Sequence, residues 1–310
     1  MSKPMIPGER CDFSAIVDRP PLKLPGGARL VVWPIVNLEV WDIARPMARQ
    51  VLPAPTGVPL LPDVPHWTWH EYGMRVGVWR FFDLFKKHGI KPTLAINARV
   101  CEDYTRVAEE ARREGWEFMG HAYDQMPMHK HDNQRDMIHR TMDIIERFTG
   151  KRPLGWLGPG LTQTLETPEL LAGAGVKYIG DWVFDDEPAT IRTANGELVA
   201  LPYTVELNDI TIMVVQRHES KYLLARAIDM FDRLYAEGET RAKIMALAIH
   251  PYISGQPHRI KYLEAIYDHV RRFPGVLHWN GAEILDWYLS VPNLNVPEPP
   301  QTAAKSGVVG

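Results

Sequence analysis

Apolar and polar positions alternate between two periods along this chain. Ala28–Val40 (ARLVVWPIVNLEV) is an almost unbroken apolar run, the pattern of a strand covered on both faces, and it closes on Asn37 and Glu39. Pro92–Ala98, Trp116–Met119, Leu154–Leu157, Val176–Gly180, Leu198–Tyr203, Ile210–Val215, Lys243–His250 and Val276–His278 read as further strands. Between them the apolar residues fall at helical spacing, as at Val76, Trp79, Phe82 and Phe85 in Met74–His88, with Gly89 as a stop. Helices are also expected over Asp103–Glu114, Asn133–Thr149, Pro168–Ala174, Tyr222–Ala236, Arg259–Phe273 and Ala282–Leu289. Strand and helix in repeated succession predict an α/β fold, a distorted parallel (β/α) barrel of seven to eight strands rather than a doubly wound sheet.

Three stretches lack either period. Residues 1–27 are polar and proline-punctuated, an N-terminal arm that could lie on a neighbouring subunit; 28–290 form a single catalytic barrel; 291–310, rich in Pro, Ala and Gly, form a flexible tail. The excursion from Arg45 to Tyr72, with its PHWTWHEY segment, is too long for an ordinary connection and reads as a functional or oligomer-forming loop.

Composition narrows the partners. The 310 residues are 45% apolar and 24% charged, with a net charge of −3 and no run of five like charges, so nothing suggests nucleic-acid or membrane binding by charge. Cys11 and Cys101 are too few for a disulfide framework or a cysteine-based zinc site and suit a reducing compartment. With no apolar leader at the N-terminus, the expected location is cytoplasmic.

Chemistry gathers at the ends of the strands. Lys243–His250 stops at His250-Pro251, Ala28–Val40 ends in Glu39, Trp116–Met119 runs into His121, and Val176–Gly180 leads to Trp182, Asp185 and Asp186. In a (β/α) barrel these ends share one face. Each residue alone has a plain structural reading, an acid just past a strand or an imidazole held by backbone groups. Together they compose a hydrolytic site: a carboxylate to take a proton from water, and an imidazole to protonate a leaving nitrogen or steady an oxyanion. No GxSxG elbow, P-loop or dinucleotide fingerprint competes.

The segments VNLEV (Val36–Val40), EYGMRVGVWRFFDLF (Glu71–Phe85), PTLAINA (Pro92–Ala98), GWEFMGHAYDQ (Gly115–Gln125), GDWVFDDEP (Gly180–Pro188) and HPYISGQPHRI (His250–Ile260) resemble the polysaccharide deacetylase (NodB homology, carbohydrate esterase 4) superfamily, and within it the allantoinase-like and cyclic-imide hydrolase branch. The resemblance implies a barrel of the NodB type, with a metal-binding acid next to the base and two His four residues apart. Here those ligand positions are Val40, His121 and Gln125, and zinc binds amides poorly. No cofactor is therefore expected, with a divalent metal such as zinc on Glu39, His121 and Asp185 as the lesser alternative. The resemblance implies opening of a small cyclic amide, ureide or imide, with Glu39 as base, His250 as acid or oxyanion stabiliser, and His121 in the catalytic set. Gln125, Trp182, Asp185, Asp186, Trp69, Arg75 and Pro251 would position the substrate. A metal-dependent N-deacetylase and a silent binding barrel are the alternatives, and a homo-oligomer, up to a tetramer, is the expected assembly.

Overall fold

The computed structural model describes residues 4–54 and 56–292. Among the described residues nine strands form one sheet: β1 (Leu30–Leu38), β2 (Thr93–Ile96), β3 (Glu117–Gly120), β4 (Gly155–Trp156), β5 (Tyr178–Ile179), β6 (Ala189–Thr193), β7 (Gly196–Ala200), β8 (Lys243–Ile249) and β9 (Val276–His278). Their order is β6-β7-β5-β4-β3-β2-β1-β8, with β9 on β1, and every pairing is parallel except β6 with β7. The sheet curls into a distorted, incompletely closed (β/α) barrel.

β1 is its axis. One side pairs with β8 from Leu30↔Lys243 to Val36↔Ile249, while the other pairs with β9 at Leu30–Val32 and with β2 at Ile35–Leu38. All nine of its residues are buried, as the unbroken apolar run requires. Val31, Trp33 and Ile35 pack inside the barrel with Ile244, Ala246 and Ala248 of β8; Leu30, Val32, Val36 and Leu38 face the helical layer.

β6 is a strand where none was expected, and two further elements differ from expectation. Ile210–Val215 is not a strand but a π-helical turn, preceded by a single bridge between Asn208 and Ala248. The Asn208 side chain accepts from Ile210 N–H at 2.9 Å, which bends the chain before a ladder can propagate. The helix expected over Met74–His88 begins earlier, at Val64, and passes through a π turn at Gly73–Gly77 before Val78–His88. There the helix meets the loop after β8: a Cβ on Gly77 would lie 2.1 Å from the Pro251 carbonyl oxygen, and one on Gly73 2.8 Å from Tyr252 N. Only glycine allows that approach.

The N-terminal segment lies along its own barrel, with the buried Arg10 donating to Glu169, Leu165 O and Arg192 O. Most of the proline-rich tail, 293–310, lies outside the described residues. The long loop is pinned by Arg45 to Asp124 (3.1 Å) and by His66, whose Nε2 accepts from Val51 and Leu52 N–H. Among the described residues no helix is long and apolar enough to cross a membrane.

Candidate active site

Strand parity builds the site. Continuing the inward alternation of β1, β2, β3 and β8 past their ends turns Glu39, Asn97, His121 and His250 into the barrel mouth, and all four are buried. His250 Nε2 stands 3.4 Å from Glu39 Oε1, and His121 Nε2 stands 3.9 Å from the same oxygen.

Asn97 ties three of these ends together. Its oxygen accepts from Val40 N–H (2.8 Å), and its Nδ2 donates to the His121 carbonyl and to Gln125 Oε1 (3.2 Å). With its oxygen turned to that donor, Gln125 presents its NH2 group to Glu39 Oε1 at 2.8 Å. On the other oxygen, Trp41 Nε1 (3.2 Å) and the Tyr252 hydroxyl (3.4 Å) donate. His121 donates Nδ1–H to Leu157 O (2.6 Å).

The Asp209 carboxylate seats His250. Oδ1 accepts from its Nδ1 at 2.6 Å, while Oδ2 accepts from its backbone N–H (2.8 Å) and from the Ser254 hydroxyl (2.7 Å). Burial disfavours the imidazolium, but the charges of Asp209 and Glu39 outweigh it and raise the His250 pKa to about 9. Burial likewise works against the Glu39 carboxylate, and the charge of His250 beside it outweighs that and holds its pKa well below the ordinary range. At neutral pH the centre is a carboxylate facing an imidazolium: a proton acceptor and a proton donor side by side.

Of the expected residues, the structure brings Glu39, His121, His250 and Gln125 into contact, with Trp69 one ring away, edge-on to Tyr252 at 4.9 Å. Trp182 donates to Gln163, which donates to Asp181 at the end of β5. The Pro251 carbonyl packs against Gly77, outside the mouth, and Arg75 is an exposed residue of the π turn. Asp185 and Asp186 require correction. Asp186 pairs with Lys243 (3.1 Å), the first residue of β8, seven residues or about 23 Å along the strand from His250. Asp185 pairs with Arg19 of the N-terminal segment at 2.6 Å. They dock the arm and the foot of β8, because the irregular chain from Asp181 to Pro188 carries them away from the mouth.

Asp209, Asn97, Trp41, Tyr252 and Asp181 went unrecognised as site residues. The Asn208-Asp209 pair beside an apolar run was the available signal for Asp209. Asp181, whose burial raises its pKa to about 6 against hydrogen bonds from Gly158 N–H and Gln163, ends its strand as His121 ends β3.

The zinc triad of the resemblance does not fit these residues. Val40 is an apolar core residue, Gln125 offers N–H donors rather than a lone pair, and Asp185 is far from Glu39 and His121. Among the described residues no three His, Cys, Asp or Glu side chains are grouped to hold an ion.

The chain is a hydrolase acting on carbon–nitrogen bonds other than peptide bonds, as the following likenesses show. Residues 68–179 match the polysaccharide deacetylase family model. The chain is 25% identical over 254 residues to the peptidoglycan deacetylase of Helicobacter pylori, covering 69% of this chain and 84% of that one. A probable polysaccharide deacetylase of Pseudomonas aeruginosa PAO1 superposes with a TM-score of 0.78 at 25% identity, over 87% of this chain and 94% of the other. Puue allantoinase, at 24% identity, shares the fold with a TM-score of 0.75 over 87% and 93% of the chains.

Proposed function

We propose that this hydrolase opens a small cyclic amide, ureide or imide without a metal. The observation that carries the reading is Glu39 Oε1 between the His250 imidazolium and the Gln125 NH2 group, where a metal enzyme of this family would need ligand lone pairs. The fold shared with an allantoinase supports the substrate class.

Glu39 takes a proton from water as the water oxygen bonds to the ring carbonyl carbon. The carbon–nitrogen bond breaks, and His250 Nε2 gives its proton to the departing nitrogen. Glu39, 3.4 Å from that Nε2, then returns the proton it took and restores the pair. Gln125, Trp41 and Tyr252 hold the carboxylate in place, and Asp209 orients the His250 ring and stabilises its imidazolium. Self-association belongs to the same reading, supported by the exposed apolar side chains of Val51, Leu52, Val58, Leu60 and Leu61 on the long loop; sedimentation showing only monomer would remove it.

The test is a panel of cyclic imides and ureides beside N-acetylglucosamine oligomers, run with metal-depleted and zinc-supplemented protein. Ring opening at equal rates in both preparations is expected. Zinc-dependent acetate release with no ring opening would make the chain an N-deacetylase like its curated relative.

A further inference from the structure

His66, the third residue of the helix Val64–Tyr72, is buried and has both ring nitrogens committed. Nδ1 lies 2.8 and 2.9 Å from the two carboxylate oxygens of Asp63, which caps the helix by accepting from His66 N–H. Nε2 lies 3.0 Å from the backbone nitrogen of Val51 and 3.1 Å from that of Leu52, on the long excursion. These partners dictate the tautomer. An ionised carboxylate only accepts, so Nδ1 carries the hydrogen; backbone N–H groups only donate, so Nε2 is a bare lone pair and the ring is neutral.

A proton and the excursion therefore compete for one lone pair. Protonated at Nε2, the ring would turn an N–H toward two N–H groups, and among the described residues neither amide has another acceptor. The groups set against the ring pull in opposite directions. The Asp63 carboxylate favours an imidazolium, and the two amides oppose it. His70, one turn along the helix, adds no charge at neutral pH, because burial lowers its pKa to about 4.

We propose that His66 is an acid-released clasp: neutral, it holds the long excursion to the helix at Val51 and Leu52, and protonated, it lets that stretch go. The clasp stands close to the barrel mouth. Trp67, the next residue, donates Nε1–H to the Trp41 carbonyl at 3.0 Å, and the Trp41 indole donates to Glu39. Release also unfixes the half-exposed apolar side chains of Val51 and Leu52. The device rests on the excursion's own hydrogen bonds and does not depend on which substrate the mouth takes.

Amide hydrogen exchange, resolved by residue and corrected for its intrinsic pH dependence, tests the clasp from about pH 8 to 5, the range in which imidazoles titrate. In the wild type, protection of the Val51 and Leu52 amides should fall at least about tenfold with acid, while Ala98 N–H, bonded to Ala122 O, stays protected. The His66 ring-nitrogen shifts, which report protonation of Nε2, should move over the same interval. His66→Gln, whose side-chain oxygen accepts but takes up no proton, should hold both amides at either end of the range, and His66→Leu at neither. Should glutamine fail to hold them at pH 8, the coincidence of wild-type release with the His66 titration decides. Wild-type protection that ignores pH, that falls apart from the His66 titration, or that falls equally in His66→Gln overturns the clasp. So does parallel loss at Ala98, the mark of the whole barrel unfolding.

Discussion

Two enclosed glutamates, Glu39 above the barrel and Glu117 at its foot, have opposite electrostatic fates. Glu117, at the start of β3, accepts from the Thr93 hydroxyl (2.6 Å), the Tyr178 hydroxyl (2.7 Å) and Gly281 N–H (2.8 Å). Enclosure of its carboxyl group nonetheless raises its pKa, against all these neutral donors. Glu39 has comparable neutral donors in Gln125, Trp41 and Tyr252 but also faces the His250 imidazolium, and its pKa falls. Dipoles orient a buried carboxylate; a neighbouring cation keeps it ionised. The foot of the barrel is built for closure, and the mouth for a charge that must be present when water arrives.

Removing the charge at the mouth breaks that contrast most severely. Glu39→Gln should lower kcat by about 10²- to 10⁴-fold with the fold intact, since an amide cannot take the proton of water. Wild-type turnover by this variant would falsify the assignment.

Asp209→Asn should cost on the order of 10²-fold, because His250 loses one of the carboxylates that keep it protonated. The wild-type kcat/KM profile should fall on its alkaline side near pH 9, and the variant's alkaline limb should move lower. A profile identical to wild type would show that Asp209 does not set the His250 proton.

Gly77→Ala tests the approach of helix and loop rather than charge. A Cβ 2.1 Å from the Pro251 carbonyl oxygen forces the His250 loop to shift, with a stability loss of about 1–3 kcal/mol and reduced kcat. Unchanged melting and turnover would mean that the loop is free to move aside.

The smallest effect should be at the foot. Glu117→Gln should leave kcat unchanged and alter stability near pH 4.5 by about 1 kcal/mol or less. A carboxyl group whose folded pKa is raised contributes stability at low pH that fades as pH rises from the unfolded value of 4.5 through the folded one, so the variant should gain on the wild type in that direction. The mouth has its own window. The raised His250 contributes stability fully present below 6.5 and lost as pH rises through about 9, whereas the lowered Glu39 contributes above 4.5 and loses it as pH falls. Denaturation midpoints measured from pH 4 to 10 separate the two glutamates.

What was legible in the sequence was whatever a local period encodes. β1 and β8 announced themselves by apolar runs, and parity past their ends turns Glu39 and His250 toward the barrel mouth. Asp209 was hidden because its neighbours Ile210–Val215 mimic a strand, and only the docking of Asp209 onto His250 shows why the ladder stops. The β6–β7 hairpin carried a readable signal in Asn195-Gly196, a tight-turn pair between strand-like segments. Asp185 and Asp186 misled because proximity in sequence to Trp182 says nothing about an irregular segment's path; Arg19 and Lys243 decided it.

The pairing of β1 with β8 also dictates when Glu39 and His250 can meet. Glu39 emerges from the ribosome early, but its acid partner sits 211 residues later, on the strand that completes the same side of β1. At about 5–20 residues per second, synthesis leaves the first strand waiting roughly 10–40 seconds for its neighbour. Until then an apolar ribbon of nine residues lacks a partner along one edge, inviting capture by a chaperone or by another nascent chain. The meeting of Glu39 with His250 and escape from that hazard arrive in the same event, the docking of Lys243–Ile249.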